Sequence, residues 1–265
     1  MQKLREYGNG SDCSLTFSCA EDRDRAFAAA IGGLMSDNAA EVRSMMSSPS
    51  RHMLARLEAD LADHLVSKGF VEVRTPTMVS ADALAKMTVT EDHPLHRQVF
   101  FIDSKRCLRP MHAMNLYHAM RSLRDYTDGP VRIFEIGSCF RKESRSGAHL
   151  EEFTMLNLVE LGPEGDATEA LKGHIAGVMG VTGLEYSLAR EESDVYRETL
   201  DVEVGGMEVS SGAVGPHPLD PAHGISEPWC GAGFGLERLL MLMTGRGSVK
   251  KTGRSLSYLN GAKIS

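Results

Sequence analysis

The chain has 265 residues, 42% of them apolar and 25% charged, which suits one sizeable core and excludes a disordered or fibrous protein. Its apolar runs, such as 239–243, fall far short of the roughly 18 residues a membrane span needs, and residues 1–10 are polar and charged, so neither membrane insertion nor secretion is expected. Five cysteines (Cys13, Cys19, Cys107, Cys139, Cys230) without a CxxC pair argue against a zinc knuckle and a disulfide framework, and reduced thiols in a cytoplasm are expected. With 29 basic against 36 acidic residues the net charge is −7, so a polyanionic partner has to be held by local basic patches.

Residues 1–47 read as an appendage, with one helical stretch near 23–35. At Ser48-Pro49 a helix start is signalled, and Leu54, Leu57, Leu61 and Leu65 recur three or four apart through Lys68. Gly69 ends that helix, and 70–74 alternates as a strand until Pro76 stops it. Strands are predicted at 98–103, 131–136 and 153–161, the last placing Phe153, Met155, Asn157 and Val159 on one face. The stretch 111–126 reads as a helix with Leu116, Met120 and Leu123 on one stripe. Asp166 with Glu169 has the form of a capping box opening a helix through Leu171, Ile175 and Met179, ended at Gly180 or Gly183. The stretch 200–211 reads as a hairpin about Gly205-Gly206, and 231–243 as a glycine-rich turn running into an apolar helix. Strands outnumber helical crossovers, so the expected fold is α+β, a mostly antiparallel sheet flanked by helices.

Four stretches carry residue types that packing alone does not require. Arg141, Lys142 and Glu143 follow one strand and open a loop before the next; a guanidinium there, always ionised and forked, suits a phosphate, although a solvated hairpin rim would look the same. In 231–238 the glycines let backbone approach a ligand ahead of a helix N-terminus, without the third glycine of a dinucleotide fingerprint, and Arg238 stands one turn into that helix. Asp201, Glu203 and Glu208 gather near Ser211, oxygen donors of the kind magnesium takes beside substrate phosphates, or else a wet strand face. Asn157 lies in an apolar row, where an amide has to be satisfied by the fold or by a ligand. From 246 to 265 every charged residue is basic (Arg246, Lys250, Lys251, Arg254, Lys263), a candidate nucleic-acid contact or a solvated tail.

Together these stretches resemble the signature motifs of class II aminoacyl-tRNA synthetases. GFVEVRTP (69–76) is similar to motif 1, the helix–strand–proline element at the dimer interface; the run from FRKE to TMLNL (140–158) is similar to motif 2, and GAGFGLERLL (231–240) to motif 3. LRPM with NLY (108–117), EESDVYRETLDV (191–202), EPW before motif 3 and SYLNG (257–261) narrow the resemblance to the pyrrolysyl-tRNA synthetase family, in the short form lacking a separate N-terminal tRNA-binding domain. The resemblance implies a class II catalytic fold over 48–265 behind a helical appendage over 1–47 with a possible tRNA contact, a cytoplasmic homodimer, ATP and Mg2+ as cofactors, and pyrrolysine and tRNA(Pyl) as substrates.

It also implies roles. Arg141 would hold the ATP α-phosphate and the reacting carboxylate, Glu143 the adenine amino group, Phe153 the adenine face and Arg238 the γ-phosphate, with His149, Leu150 and Gly233 completing the ATP site. Glu208 and Ser211 would position magnesium. Ala113, Leu116, Tyr117, Met120, Val159, Ala213 and Trp229 would line the amino-acid pocket, Asn157 would hydrogen-bond the side-chain amide carbonyl, and Tyr196 would close over the ligand from a hairpin. In that family the segment after LRPM usually reads Leu-Ala-Pro, whereas here it is His112-Ala113-Met114, and Gly212 stands where alanine is expected. The alternatives are a class II synthetase for another lysine analogue and a non-catalytic tRNA-binding paralogue. Arg141, Glu143, Glu208 and Arg238 weigh against the latter, since a pure binder has no need of a complete ATP site.

Overall fold

The computed structural model describes residues 16–142, 147, 149–193 and 195–265. Glu143, assigned above to the adenine, lies outside them, as does Cys13. Helix α1 (Ala20–Ser47) is longer than its predicted stretch and buries none of its residues; Phe27, Ile31, Leu34 and Met35 remain on its surface. The leucine periodicity produces α2 (Met53–Ser67), with all four leucines buried. It starts four residues beyond Pro49, because His52 makes the cap, its Nδ1 accepting from Leu54 N at 3.2 Å.

The chain then lays down β1 (Val71–Glu72), β2 (Met78–Ser80), α3 (Ala81–Lys86), β3 (Arg106–Leu108), α4 (Ala113–Arg124), β4 (Val131–Phe140), β5 (Glu152–Leu161), α5 (Ala167–Thr182), β6 (Ser187–Ser193), β7 (Arg197–Val204), β8 (Met207–Gly215), α6 (Asp220–His223), β9 (Trp229–Gly235) and α7 (Leu236–Met243). Among the described residues the main sheet has seven strands in the order β1-β4-β5-β9-β8-β7-β6, antiparallel throughout except where β1 runs parallel to β4. The alternation expected in β5 sorts its side chains: Leu156 and Leu158 join α2, α5 and α7 in one core, while Val159 joins α4 and Trp229 in a second core on the opposite face. Asn157 therefore looks out over the second face, where the cleft lies. No described helix is long and apolar enough to cross a membrane.

Several local expectations are corrected. The apolar run 98–103 does not form a full strand: its start is taken up by the 3-10 turn Pro94–Gln98, and it meets β3 through a single bridge, Phe101 to Cys107, flanked by Leu108 N donating to Phe100 O and Ile102 N to Arg106 O. The glycines of 231–235 are not a turn but strand β9, threaded between β5 and β8. There a Cβ on Gly231 would lie 2.9 Å from Leu158 O and one on Gly233 2.6 Å from Asn157 Nδ2, so glycine answers to close approach rather than to chain reversal. Only half a capping box forms at α5: Asp166 accepts from Thr168 N and Glu169 N, while the Glu169 carboxylate pairs with Lys172. Gly183 in the left-handed region ends that helix, and Gly205 and Gly206, both at positive φ, turn β7 into β8 as expected.

The basic C-terminal run is not a free tail. Val249 N donates to Gly147 O, Thr252 Oγ1 to Glu237 O, and Arg254 Nη1 to Thr154 Oγ1 at 2.6 Å, which packs the segment under α7. A final hairpin, β10 (Tyr258–Leu259) with β11 (Ala262–Lys263), docks on α1: the Asn38 amide exchanges two hydrogen bonds with the backbone of Lys263, and Arg246 pairs with Glu41 at 2.9 Å.

Candidate active site

Strands β5, β9, β8 and β7 and the segment after β4 present one face to a cleft of about 580 Å³, closed on its far side by α4, Trp229 and the loop between β6 and β7. Its lining contains every described residue assigned a role above: Arg141, His149, Leu150, Phe153, Glu208, Ser211, Gly233 and Arg238 at one end, and Ala113, Leu116, Tyr117, Met120, Asn157, Val159, Tyr196, Ala213 and Trp229 at the other.

At the polar end, β4 and β5 hold Arg141. Its backbone N–H donates to Glu151 O at 3.0 Å, its Nε to Pro110 O at 3.0 Å, and its guanidinium carbon lies 5.4 Å from the centre of the Phe153 ring. Arg238, on the first turn of α7, reaches across β9 so that Nη1 donates to Glu208 O at 3.0 Å. Ser211 Oγ donates to Asp201 Oδ1 at 2.6 Å across the β7–β8 pair. Desolvation in the cleft, and then Asp201, push the Glu208 carboxyl above the usual carboxylate range, against the pull of Arg238 and Arg141. Two fixed cations and two acids that repel one another form a site suited to a polyphosphate carrying a divalent cation.

The apolar end has aromatic walls. Tyr117 packs edge-on to Trp229 with ring centres 5.6 Å apart and stacks on His223 at 4.2 Å, while Tyr196 stands edge-on to Trp229 at 6.1 Å and to His217 at 5.4 Å. What fixes these rings is Asp220, only 3% exposed, which accepts from Tyr117 Oη at 3.0 Å, from Trp229 Nε1 at 3.0 Å and from His217 N at 2.6 Å. Burial pushes the Tyr117 phenol up, so it stays a neutral donor to that carboxylate. Asp220 is not legible in the sequence: an aspartate before proline reads as a turn, and nothing local places it beneath a tryptophan nine positions later.

A second network lies behind the floor. Arg109 and Glu135, each 3% exposed by side chain, pair at 2.6 Å; Thr75 donates to both Glu135 oxygens through N and Oγ1, and Asn115 Nδ2 donates to Thr75 Oγ1. The proline-bearing segment after β1 is thereby tied to α4, so the strand–proline element is part of the cleft's frame. The change to His112-Ala113-Met114 leaves the helix start in place, with Asn115 N and Leu116 N both donating to His112 O. At Gly212 a methyl would meet Leu171 Cδ1 at 3.1 Å and Gly231 O at 3.3 Å, so glycine relieves packing between the sheet and α5.

No described cysteine lines the cleft. The thiols of Cys107, Cys139 and Cys230 are buried, and burial pushes them up to about 11, about 12 and about 12. Glu160, His174 and Cys230 cluster on the opposite face of the sheet, but Arg132 at 2.8 Å and His174 at 2.5 Å already satisfy that carboxylate.

Residues 37–256 match the family model described as tRNA synthetases class II core domain (F). Two solved structures from Desulfitobacterium hafniense are similar over almost the whole chain. One, a pyrrolysyl-tRNA synthetase, is 48% identical with a TM-score of 0.88, covering 95% of this chain and 91% of its own. The other, also described as a pyrrolysyl tRNA synthetase, is 46% identical with a TM-score of 0.89, covering 97% and 93%. Lysine–tRNA ligase of Staphylococcus aureus is 29% identical over 156 residues, 56% of this chain; the chain aligns with 27% of that relative's length. Motif 2 on β4 and β5, motif 3 on β9 and α7, and a family match over most of the sequence place this chain in the class II tRNA synthetase core-domain family.

Proposed function

We propose that this chain is a pyrrolysine–tRNA(Pyl) ligase, which activates pyrrolysine with ATP and transfers it to tRNA(Pyl). The observation that carries this reading is the composition of one cleft: two arginines at one end, and at the other an apolar, aromatic-walled slot into which β5 presents the amide of Asn157. Pyrrolysine is a lysine acylated at Nε by a ring, so its long lipophilic side chain fits an apolar slot and its one carbonyl calls for one donor. Sequence identity of 46–48% to two pyrrolysyl-tRNA synthetases supports the same assignment.

Activation is in-line attack of the amino-acid carboxylate on the ATP α-phosphate, with diphosphate leaving. Arg141 neutralises the α-phosphate and orients the carboxylate, Phe153 stacks on adenine, and Arg238 holds the γ-phosphate; catalysis comes from positioning and fixed charge. Glu208 and Ser211 fit Mg2+, since the repulsion between Glu208 and Asp201 is relieved by a cation and both donors are hard oxygens. When bound, Mg2+ would neutralise phosphate charge. Tyr196 shields the amino acid, and Asp220 holds Tyr117 and Trp229 in place.

The same reading makes the chain a cytoplasmic homodimer with residues 48–265 as the catalytic domain and 1–47 as an appendage contacting tRNA. Val66 and Val71, 57% and 61% exposed beside the short edge strand β1, offer an apolar surface for the partner protomer. ATP–pyrophosphate exchange with pyrrolysine and a panel of other lysine derivatives tests the assignment. Exchange strongest with pyrrolysine is expected; exchange led by another lysine analogue would favour that alternative, and none at all the non-catalytic one.

A further inference from the structure

His112 is one of the residues by which this chain departs from its family's usual pattern, and it lies behind Asn157 rather than in the cleft lining. It is fully buried, and among the described residues neither ring nitrogen has a hydrogen-bond partner. Asn157 Oδ1 is likewise buried without one. The imidazole and this amide lie close enough to interact electrostatically. Three orphaned polar atoms in one place are costly unless they serve something.

The surroundings fix which atom can donate. Over Gly137, whose Cβ would lie 2.5 Å from Arg109 Nη2 and 3.6 Å from His112 Nε2, the guanidinium and the imidazole converge. Arg109 is a donor only, so the nitrogen facing it has to accept, which leaves the ring proton on Nδ1. Burial and the Arg109 charge also push the imidazole down to about 4, so at neutral pH it carries one proton and can accept and donate at once. Asn157 Nδ2 sits over Gly233, on the cleft side.

We propose that His112 is a specificity-determining positioning residue: its Nδ1–H donates to Asn157 Oδ1 and holds the amide with Nδ2 directed at the side-chain carbonyl of the bound amino acid. The chain Glu135–Arg109–His112–Asn157 would then transmit the rigidity of a buried ion pair to the group that reads the substrate. This deepens the ligase reading above and rests on it.

The test compares a lysine acylated at Nε with the Nε-alkyl lysine that lacks only the carbonyl, in ATP–pyrophosphate exchange by the full chain. His112→Leu, which keeps the volume and removes the donor, should raise KM for the acyl-lysine about tenfold, the size expected for one missing hydrogen bond, while KM for ATP and kcat stay within about twofold. KM for the alkyl-lysine should hardly change, so discrimination between the two collapses. His112→Asn, with an amide N–H near the position of Nδ1, should restore much of the discrimination. Unchanged discrimination in His112→Leu overturns the proposal, as does an equal rise for both amino acids, which would mean a packing role. If His112→Leu does not fold, His112→Asn and the imidazole proton spectrum of the unmodified chain decide: an Nδ1 proton that becomes protected on acyl-lysine binding supports the contact, and one that does not respond overturns it. Failure of the unmodified chain to activate any acyl-lysine would instead overturn the ligase reading, a result that needs no variant.

Discussion

In the proposed reaction Arg141 faces the charge that develops on the α-phosphate, so Arg141→Ala should abolish adenylate formation, removing a fixed cation worth several kcal/mol in a preorganised site. Near-normal pyrophosphate exchange in that variant would sink the phosphate role. Asn157→Ala should weaken pyrrolysine by about 1–3 kcal/mol and leave ATP almost untouched if, as proposed, the amide serves the apolar end. Titration of both ligands decides; equal weakening would make Asn157 structural. His112 adds a pH signature to stability. Its folded value, pushed to about 4 by burial and by Arg109, lies below the ordinary 6.5. The stabilisation is therefore fully present above pH 6.5 and lost as pH falls towards 4, since the unfolded chain takes up the proton first, at about 1.4 kcal/mol per pH unit. Denaturant unfolding at pH 7 and pH 5 should show the chain losing about 2 kcal/mol more than His112→Leu does. Glu135 and Arg109, the charged groups nearest the ring, pair at 2.6 Å and are common to both proteins, so the comparison isolates the imidazole.

At the scale of elements, Glu237 fastens α7 to β5. It is 3% exposed and both its oxygens accept from Thr154 N at 2.9 Å, so Glu237→Ala would leave a buried N–H unpaired and should cost about 1–3 kcal/mol in thermal or denaturant unfolding. Because Arg238 is its neighbour, exchange should fall with stability; unchanged exchange would mean that α7 is positioned by its apolar face alone. Elements also mark where local pattern misleads. Helix α2 follows from its leucine spacing, since an apolar stripe at helical period has one good burial. The run 98–103 has the composition of a strand, but a 3-10 turn takes its start and three-residue β3 meets it through only one bridge, at Phe101. Strand β9 has the composition of a turn and becomes a strand because Leu158 and Asn157 press on it.

Across the whole molecule, the basic C-terminal run divides in two. Arg246 and Arg254 are tied to Glu41 and Thr154, while Lys250 and Lys263 remain exposed. Replacing Lys250 and Lys263 by glutamine should weaken tRNA charging and lower its salt slope by roughly 0.7–0.9 for each phosphate no longer neutralised, with exchange intact. Arg254→Gln should instead reduce stability and exchange, because it loosens the packing beneath α7. Charging that ignores the two lysines would place the tRNA elsewhere. What the sequence by itself determined was the class of fold and most of the motif-bearing strands and helices, since hydropathy period and helix caps are local properties; the set of cleft residues followed from the family resemblance its motifs carry. Tertiary structure alone decided that Asp220 anchors the pocket rings, that His112 backs Asn157, and that Arg254 is a strut rather than a tail charge. Each depends on groups far apart in the chain meeting; for Asp220 and His112 they meet out of water, where an unpaired polar atom is expensive, while half-exposed Arg254 is held by its 2.6 Å hydrogen bond to buried Thr154.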